Sequence, residues 1–377
     1  MIDCQKHLFD IPDDVTYLNA AYMAPILKSS AQVGKVAVAQ KLHPWEITID
    51  DFFGLPKTAC GLFASLIDSA EDCIAIVPSA SYGVGTATKN CKLEKGQKII
   101  VLADQFPSHV YPWQEVARDK DAIIETIPWP ADDDWTAALL NAIDQTTAVV
   151  ACPQAHWTNG TSVDLVAVGK KCRAVGAALV LDLTQSLGVM PFSVKDVDPD
   201  FMIAGSYKWL LGPYSYGYMY VAPRHHNGIP LEENWIARKD SEDFSRLVDY
   251  KDPYQPGAGR FHMGEKSNFI NAPIAIDALK KFNELGVDNI SAYLKTLTNY
   301  VAEKSDEIGL NVARDKFRAP HLIGINFKDG VPSHIAPMLA SNKVFVSVRG
   351  QSIRVATHIY NDKADIDRLF TLLQNEI

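Results

Sequence analysis

Two residues of opposite charge end two predicted strands. The apolar run 178–182 ends at Asp182, and a second run, 201–204, leads within four residues to Lys208. The carboxyl ends of parallel strands meet at one edge of a sheet, where α/β proteins bind their ligands. A lysine in such a place suits a Schiff base with a carbonyl group, and a carboxylate suits a protonated ring nitrogen. The alternative is a buried ion pair without a chemical role.

A phosphate site is predicted upstream, where a strand leads into a helix. The run 73–77 is followed by Ser79, Ala80 and Ser81, and a helical pattern begins at that point. A helix N-terminus offers free amide groups and a positive dipole end, and the two hydroxyl groups add further donors. The segment therefore predicts an anion site for a phosphate group.

The same segment resembles a dinucleotide-binding fingerprint. Gly83 and Gly85 follow the strand, and Asp104 ends the next strand at the place of a ribose-binding acid. Thr88 stands where the third glycine belongs. An NAD-dependent dehydrogenase is therefore the alternative from another class of enzyme, and it leaves the charged pair without a task.

The elements around these residues predict an α/β fold, with a mostly parallel sheet and helices on both faces. Short apolar runs alternate with stretches of helical spacing, and the runs are apolar at both odd and even positions, as in strands that are covered on both sides. The predicted strands are 73–77, 98–103, 122–127, 147–152, 178–182, 201–204 and 217–221.

A smaller α+β domain is predicted towards the C-terminus. Two helical patterns, 272–285 and 290–308, precede three apolar runs and a final helix from about residue 363. The predicted domains are 17–268 for the large domain and 1–16 with 269–377 for the small one.

The composition is that of an enzyme-sized globular protein. The chain has 377 residues, 47% of them apolar, and a formal net charge of −9. We expect no nucleic-acid partner from the negative charge, and no membrane span because no apolar run is long enough. The six cysteines lack C-x-x-C spacing, which favours reduced thiols in a cytoplasmic protein, and no metal site is predicted.

The motifs together are similar to those of one known family. The run YLNAA from Tyr17 resembles the family's opening strand and turn, and D-x-x-Q from Asp182 and S-Y-K ending at Lys208 resemble its lysine segment. On these motifs the sequence resembles the aminotransferase class V family of fold-type I pyridoxal-phosphate enzymes, which includes kynureninases, cysteine desulfurases and isopenicillin N epimerases. The resemblance runs from about Tyr17 to the C-terminus. It implies pyridoxal 5'-phosphate as the cofactor, a Schiff base at Lys208, and Asp182 on the ring nitrogen.

The resemblance also implies further cofactor contacts. It gives Phe106 a stacking role on the ring, and it places Asn159, with Thr158 as its competitor, at the phenolic oxygen. Gln185 matches a residue near that oxygen and the imine. The complete implied set of cofactor-binding residues is Ser79, Ala80, Ser81, Phe106, Thr158, Asn159, Asp182, Gln185, Ser206, Tyr207, Lys208, Ser267 and Asn268.

Substrate contacts follow from the same resemblance. Arg354 aligns with the arginine that binds the amino-acid carboxylate, Arg349 is a second candidate, and Asn19 is included as a substrate-binding residue. A guanidinium group suits this task because it binds a planar carboxylate through two parallel bonds. His156 is a candidate second proton carrier, with ordinary packing as the alternative.

A shared active site is implied by the segment around Gly264. Relatives send a hydroxyl-bearing loop from this place to the phosphate of the neighbouring subunit, and Ser267 and Asn268 stand there in this chain. The resemblance therefore implies a homodimer, although the family's Gly-Thr-Pro pattern is not present.

The sequence departs from two branches of the family. The stretch 349–354 contains no cysteine, where a desulfurase carries its nucleophile, and His109 stands where kynureninase carries an aspartate. The resulting prediction is a transaminase or β-lyase that acts on a small α-amino acid. An amino-acid epimerase of the isopenicillin N epimerase type is a second reading, and a non-catalytic binding module is a third.

Overall fold

The chain is described by a computed structural model that covers residues 2–374 and 376. Its helices are α1 (Lys28–Gln40), α2 (Ile49–Ser65), α3 (Ala80–Asn90), α4 (Tyr111–Lys120), α5 (Trp135–Ala142), α6 (Leu165–Val175), α7 (Val194–Val197), α8 (Asn271–Leu285), α9 (Val287–Glu307), α10 (Ile335–Ser341) and α11 (Lys363–Leu373). Its strands are β1 (Thr16–Tyr17), β2 (Ile74–Val77), β3 (Lys98–Leu102), β4 (Ile123–Ile127), β5 (Thr147–Cys152), β6 (Ala178–Asp182), β7 (Phe201–Gly205), β8 (Gly217–Val221), β9 (Leu322–Asn326), β10 (Val344–Phe345), β11 (Ser347–Arg349) and β12 (Ser352–Ala356).

A seven-stranded sheet carries the charged pair that the sequence singled out. Its strand order is β2-β8-β7-β6-β5-β3-β4, and all neighbours are parallel except β8, which is antiparallel to both β2 and β7. β6 and β7 are adjacent and parallel, so their carboxyl ends lie at the same edge. The predicted fold class, a mostly parallel sheet between helices, is confirmed.

Both faces of this sheet are buried, which explains the apolar residues at odd and even positions. In β3, Ile100 and Leu102 pack into one apolar cluster together with Phe63 of α2. Ile99 and Val101, on the other face of β3, pack into a second cluster with Trp113 of α4. A strand covered on both faces cannot alternate with polar residues, because either face would then bury an unpaired polar group.

The crossover that leads to β6 is fixed by caps at both ends of α6. Asp164 accepts hydrogen bonds from the backbone N–H groups of Val166 and Ala167 at the first turn, both at 3.0 Å. Gly176 ends the helix with φ of +78°, a left-handed conformation that a glycine adopts without steric penalty. The caps set where β6 begins, and therefore where Asp182 ends it.

The C-terminal region forms a smaller layered unit. β11, β12 and β9 make an antiparallel sheet that packs with α9 and α11 around one apolar cluster. N-terminal residues join the same cluster through Phe9 and Leu18, and β1 pairs in parallel with β10. This arrangement agrees with the α+β character that the sequence predicts there.

Most predicted elements have the observed bounds to within one or two residues. The exception is α9, which is predicted from residue 290 and begins three residues earlier, at Val287. The strand ends differ by single residues: Cys73 belongs to a short 3-10 turn, and β7 extends to Gly205. Gly83 and Gly85 lie inside α3, so the glycines are not on the turn that a dinucleotide fingerprint requires. Among the described residues, no helix is long and apolar enough to cross a membrane.

Candidate active site

A cavity opens at the carboxyl ends of β6 and β7, beside the N-terminus of α3. Residues from five separate segments line it, and we call it the site cavity. Its lining includes Ala80, Phe106, Trp157, Asp182, Gln185 and Lys208. The structure therefore brings the charged pair, the start of the phosphate segment and the aromatic candidate together in one cavity.

Lys208 is buried in the site cavity and has no acidic partner among the described residues. Its Nζ atom lies 5.4 Å from the ring centres of both Phe106 and Tyr207. Within the described residues, no carboxylate comes within the 4.0 Å salt-bridge limit of this nitrogen. Burial lowers the pKa of Lys208 to about 8, against the attraction of Asp182, and the positive charges of Arg354 and Arg349 lower it further. A larger fraction of this amine is therefore unprotonated near neutral pH than in an ordinary lysine, and the described residues contain no ion pair at Lys208.

Asp182 is held at the end of β6 by the loop that follows it. One carboxylate oxygen accepts a hydrogen bond of 2.9 Å from the backbone N–H of Thr184. The Thr184 hydroxyl in turn accepts one of 3.1 Å from the N–H of Gly205, at the end of β7. This chain of bonds ties the two strand ends together, so the positions of Asp182 and Lys208 are fixed relative to each other.

The predicted phosphate segment lies at the N-terminus of α3. Ser79 caps the helix, because its hydroxyl accepts a hydrogen bond from the N–H of Tyr82 at 3.2 Å. The hydroxyl of Ser81 lies 3.0 Å from that of Ser79, in an exposed part of the surface. Ala80 between them lines the site cavity. Two hydroxyl groups at the positive end of an 11-residue helix fit an anionic phosphate group.

Trp157 occupies the site cavity next to the predicted stacking residue. Its indole ring meets Phe106 edge to face, with ring centres 5.6 Å apart. The indole N–H donates a 2.6 Å hydrogen bond to the carbonyl of Asp104, which fixes the ring. Gly160 makes the turn that presents it: φ is +75°, and a Cβ there would lie 2.0 Å from the carbonyl oxygen of Leu322. Only glycine fits this close approach.

The other candidates from the same segment do not line the site cavity. Both ring nitrogens of buried His156 are occupied, by the Thr158 hydroxyl at 2.8 Å and the Ala103 carbonyl at 3.0 Å. Its ring also stacks on Trp135, and burial lowers the pKa of His156 to about 4. The side-chain oxygen of Asn159 accepts hydrogen bonds from the backbone N–H and the hydroxyl of Thr161. These side chains build the turn.

The remaining cofactor candidates divide into two groups. Gln185 and Tyr207 line the site cavity, and the Gln185 amide is held between the Ala21 carbonyl and the indole N–H of Trp209. The Ser206 hydroxyl, in contrast, is engaged with backbone carbonyl groups of its own loop, including that of residue 213 at 2.8 Å. Ser206 therefore shapes the loop that follows Lys208.

Arg354 and Arg349 lie on the hairpin of β11 and β12. Arg354 is only 1% exposed, its Nη1 donates to the carbonyl of Trp157 at 2.8 Å, and its Nε and Nη2 have no acceptor among the described residues. Burial, and after it the charge of Arg349, lower the pKa of Arg354 to about 9. Asn19, the third substrate candidate, accepts a hydrogen bond from Ser347 at 2.8 Å and links the N-terminal segment to this hairpin.

Within one chain, the phosphate candidates near Gly264 lie outside the site cavity. Gly264, Ser267 and Asn268 line a second cleft together with Phe52 and Trp235. The Ser267 hydroxyl donates to the Phe52 carbonyl at 2.6 Å, and the Asn268 side-chain oxygen accepts a hydrogen bond of 2.9 Å from the N–H of Asn271, the first residue of α8. A role for this segment at a phosphate therefore requires the site of another subunit.

His109 is a site residue for which sequence reasoning assigned no role. It lines the site cavity, is 1% exposed, and neither ring nitrogen has a hydrogen-bond partner in the described chain. Burial lowers the pKa of His109 to about 4, with the charge of Asp182 opposing it. The only signal in the sequence is its position in the segment of Phe106, where it replaces the aspartate of kynureninase.

Comparison with known proteins agrees with this geometry. The model of the aminotransferase class-V family matches residues 59–369. The chain is similar to an uncharacterized aminotransferase, YcbU, of Bacillus subtilis, with 28% identity over 81% of this chain and 79% of that protein. It is similar to a kynureninase of Bacillus cereus, with 24% identity over 88% and 78%.

Solved structures with the same fold are also found. One is a cysteine desulfurase from Thermococcus onnurineus, with a TM-score of 0.86 and 17% identity over 100% of this chain and 99% of that one. Another is a mutant of C-DES with glycine linked to its pyridoxal-phosphate cofactor, with a TM-score of 0.88 and 16% identity over 98% and 99%. At these identities the likeness shows the fold.

Proposed function

We propose, from the premise that the chain belongs to the aminotransferase class-V family of pyridoxal-phosphate enzymes, that it transforms a small α-amino acid by transamination or β-elimination. In this proposal Lys208 is the lysine that forms the Schiff base. The observation that carries it is the state of that amine, which is buried without an acidic partner in the described chain and has a pKa lowered to about 8. An NAD-dependent dehydrogenase gives no reason for such a lysine.

Residues that line the site cavity, or lie beside it at the N-terminus of α3, fit the cofactor from three sides. Ser79 and Ser81 at the start of α3 would hold its phosphate, and Asp182 would keep its ring nitrogen protonated. Phe106, beside Lys208, would cover the ring. When bound, the cofactor supplies an electron sink for the pair left behind when a bond at the substrate's α-carbon breaks.

The residues of this chain would then act on the amino acid itself. Arg354 holds the α-carboxylate, because its two free donors are the Nε and Nη2 pair that binds a carboxylate in bidentate fashion. Lys208 removes the α-proton once its amine is free, which suits a group whose pKa lies near neutrality. Similar proteins named aminotransferase, kynureninase and cystine C–S lyase support the two reaction branches proposed.

Desulfurase chemistry through a cysteine persulfide has no support in this chain. All six cysteines are free, none lines the site cavity, and four of them are buried. Burial raises the pKa of Cys60 to about 12 and that of Cys73 to about 11. A thiol with a raised pKa carries little thiolate, which is the nucleophilic form.

A homodimer with shared sites is part of the proposal. The cleft around Gly264 is lined by aromatic side chains, and Trp235 there is 41% exposed, as suits a surface that a second subunit covers. Sedimentation of the purified protein would give twice the chain mass, and a monomeric mass at micromolar concentration would contradict this part. The cytoplasmic location stays a prediction from the reduced cysteines.

The test is an absorbance spectrum of the purified protein, before and after borohydride, beside Lys208→Ala. We expect a visible band in the wild type that borohydride removes while fixing the cofactor covalently, and no covalent product in the variant. Screening amino acids for keto acid, ammonia or sulfide then separates transamination from β-elimination. A wild-type protein that stays colourless with added pyridoxal phosphate, and gains no mass after borohydride, would refute the proposal.

A further inference from the structure

The hairpin beside the site cavity brings together two positive charges. Arg349 ends β11 and Arg354 lies on β12, and the two strands are paired in antiparallel register. The guanidinium of Arg349 lies 5.7 Å from the ring centre of Trp157, a residue that lines the site cavity. Arg354 donates to the backbone carbonyl of that same tryptophan. The positive charge of each arginine also lowers the pKa of Lys208, so both charges act electrostatically on a residue of the site cavity.

Neither charge is balanced by an acid in the part of the chain that the structure describes. In the described residues, no carboxylate lies within 4.0 Å of Arg349 or Arg354. Arg349 donates one hydrogen bond of 2.7 Å to the carbonyl of the preceding residue, Val348. Arg173 and Arg318, which are also partly or fully buried, have acidic partners, whereas Arg260 donates to the Gly228 carbonyl and has no acidic partner among the described residues. Two unbalanced guanidinium groups at one site indicate a ligand that brings more than one negative charge.

One carboxylate does not satisfy both groups. The free donors of Arg354 are Nε and Nη2, which together take both oxygens of a single carboxylate. With the α-carboxylate bound there, Arg349 still has its charge and most of its donors unpaired, against the face of Trp157. The second guanidinium therefore has a charge and donors available for a second acidic group of the ligand.

We propose that the substrate is an amino acid with an acidic side chain, whose side-chain anion is bound by Arg349 next to Trp157. This inference rests on the proposed function, because it names the substrate class of that same site. An arginine on an aromatic face is well suited to this task, since the ring holds the guanidinium plane while its edge stays free to donate.

Binding of non-reactive analogues tests the proposal without any turnover. The probes are succinate, which has two carboxylates, and succinamate, in which one of them is an uncharged amide of the same shape. We expect succinate to bind the holoenzyme about 10- to 100-fold more tightly, because a charge-assisted bond to Arg349 is lost with the amide. In Arg349→Gln the two affinities should become nearly equal. Arg118→Gln, an exposed arginine on α4, is the matched control and should keep the wild-type ratio.

Reaction specificity gives a second measurement. We expect aspartate or glutamate to exceed asparagine or glutamine in kcat/KM by about 10- to 100-fold, with the ratio falling towards one in Arg349→Gln and staying high in Arg349→Lys, which keeps the charge. An unchanged melting temperature and visible band in each variant show that it is folded and loaded. A wild type that does not prefer the acid over its amide overturns the proposal, and so does a preference that survives in Arg349→Gln. Failure of the proposed function is separate, because it would show as a missing borohydride product at Lys208.

Discussion

Replacing Arg354 by methionine should make the protein more stable while removing its ability to bind an amino-acid carboxylate. Arg354 is 1% exposed, and two of its donors have no acceptor in the described chain. A buried donor without a partner costs roughly 1–3 kcal/mol, so the two unpaired donors of Arg354 lower the stability of the ligand-free protein. Methionine is shorter than arginine, has no charge and no donors, and fits irregular apolar space.

The magnitude follows from the contacts of this side chain. Against the two unpaired donors stands one hydrogen bond, from Nη1 to the Trp157 carbonyl, which contributes about 1 kcal/mol and whose loss leaves that carbonyl unpaired. We therefore expect the free energy of unfolding to rise by roughly 1–3 kcal/mol, which for 377 residues is a melting temperature higher by about 1–4 °C. Succinate binding should weaken by about 100-fold or more, because a bidentate pair of charge-assisted bonds is lost.

Scanning fluorimetry of the protein without cofactor is the assay, with Arg318→Met as the matched control. Arg318 is buried to a similar degree, 9% exposed, but it is paired with Asp315 and with the side chain of Asn299. Its replacement should therefore lower the melting temperature, so the two substitutions should act in opposite directions. A melting temperature that falls in Arg354→Met as it does in Arg318→Met would show that the guanidinium is satisfied in the free protein, and the reasoning would be refuted.

Three further predictions concern the amine, the turn and the phosphate segment. The pKa of Lys208 is about 8 rather than 10.5, and only the unprotonated amine reacts with pyridoxal phosphate. The rate at which the visible band forms with the cofactor-free protein should therefore rise up to about pH 8 and then level off. A rate that continues to rise to pH 10 would contradict this prediction. His156→Phe keeps the stacked ring but loses two hydrogen bonds, so it should destabilise the protein by roughly 1–3 kcal/mol and leave the visible band intact. Loss of the band at an unchanged melting temperature would instead show that His156 takes part in cofactor binding or catalysis. Ser81→Ala should raise the Kd for pyridoxal phosphate about 5- to 10-fold without changing the melting temperature of the cofactor-free protein. Ser79→Ala should raise the Kd too, and it should also lower the free energy of unfolding by about 1 kcal/mol because a helix cap is lost. Equal Kd values in both variants and the wild type would show that these hydroxyls do not bind the phosphate.

The sheet could be predicted from the sequence because its strands are buried on both faces. A strand such as β2, whose sequence is Ile-Ala-Ile-Val, is buried on both faces and is therefore an unbroken apolar run, and a turn-forming proline follows it. The same rule located Asp182 and Lys208, since residues that follow adjacent parallel strands must lie at one edge. The order of the strands and the antiparallel direction of β8 depend on long-range pairing that no local pattern specifies.

The turn between β5 and α6 shows where local patterns stop being informative. Its polar residues, His156 and Asn159, look like chemistry in the sequence, but the turn uses their hydrogen bonds to close on itself. The apolar-looking Trp157 is the side chain left facing the site cavity, because Gly160 allows the backbone to pass against the neighbouring strand β9. Side-chain direction in such a turn depends on the tertiary contact with that strand, which sequence spacing does not reveal.

Two buried polar side chains near the site have nitrogen atoms without a hydrogen-bond partner among the described residues. His109 and Arg354 are each about 1% exposed, and each has nitrogen atoms with no partner in the described chain. Buried polar groups in folded proteins are normally paired, and leaving them unpaired lowers stability unless a ligand supplies the partner. The charge of Asp182 acts on His109, whereas the charge of Arg349 acts on Arg354, so the two unpaired groups lie in different electrostatic surroundings.

A chain with a net charge of −9 that keeps unbalanced positive charge at one hairpin must attract its anionic ligand over a short distance, since its overall field repels anions. Binding at this site should therefore depend on direct contact with the guanidinium groups, and the unpaired donors of the free protein are the places where that contact is made.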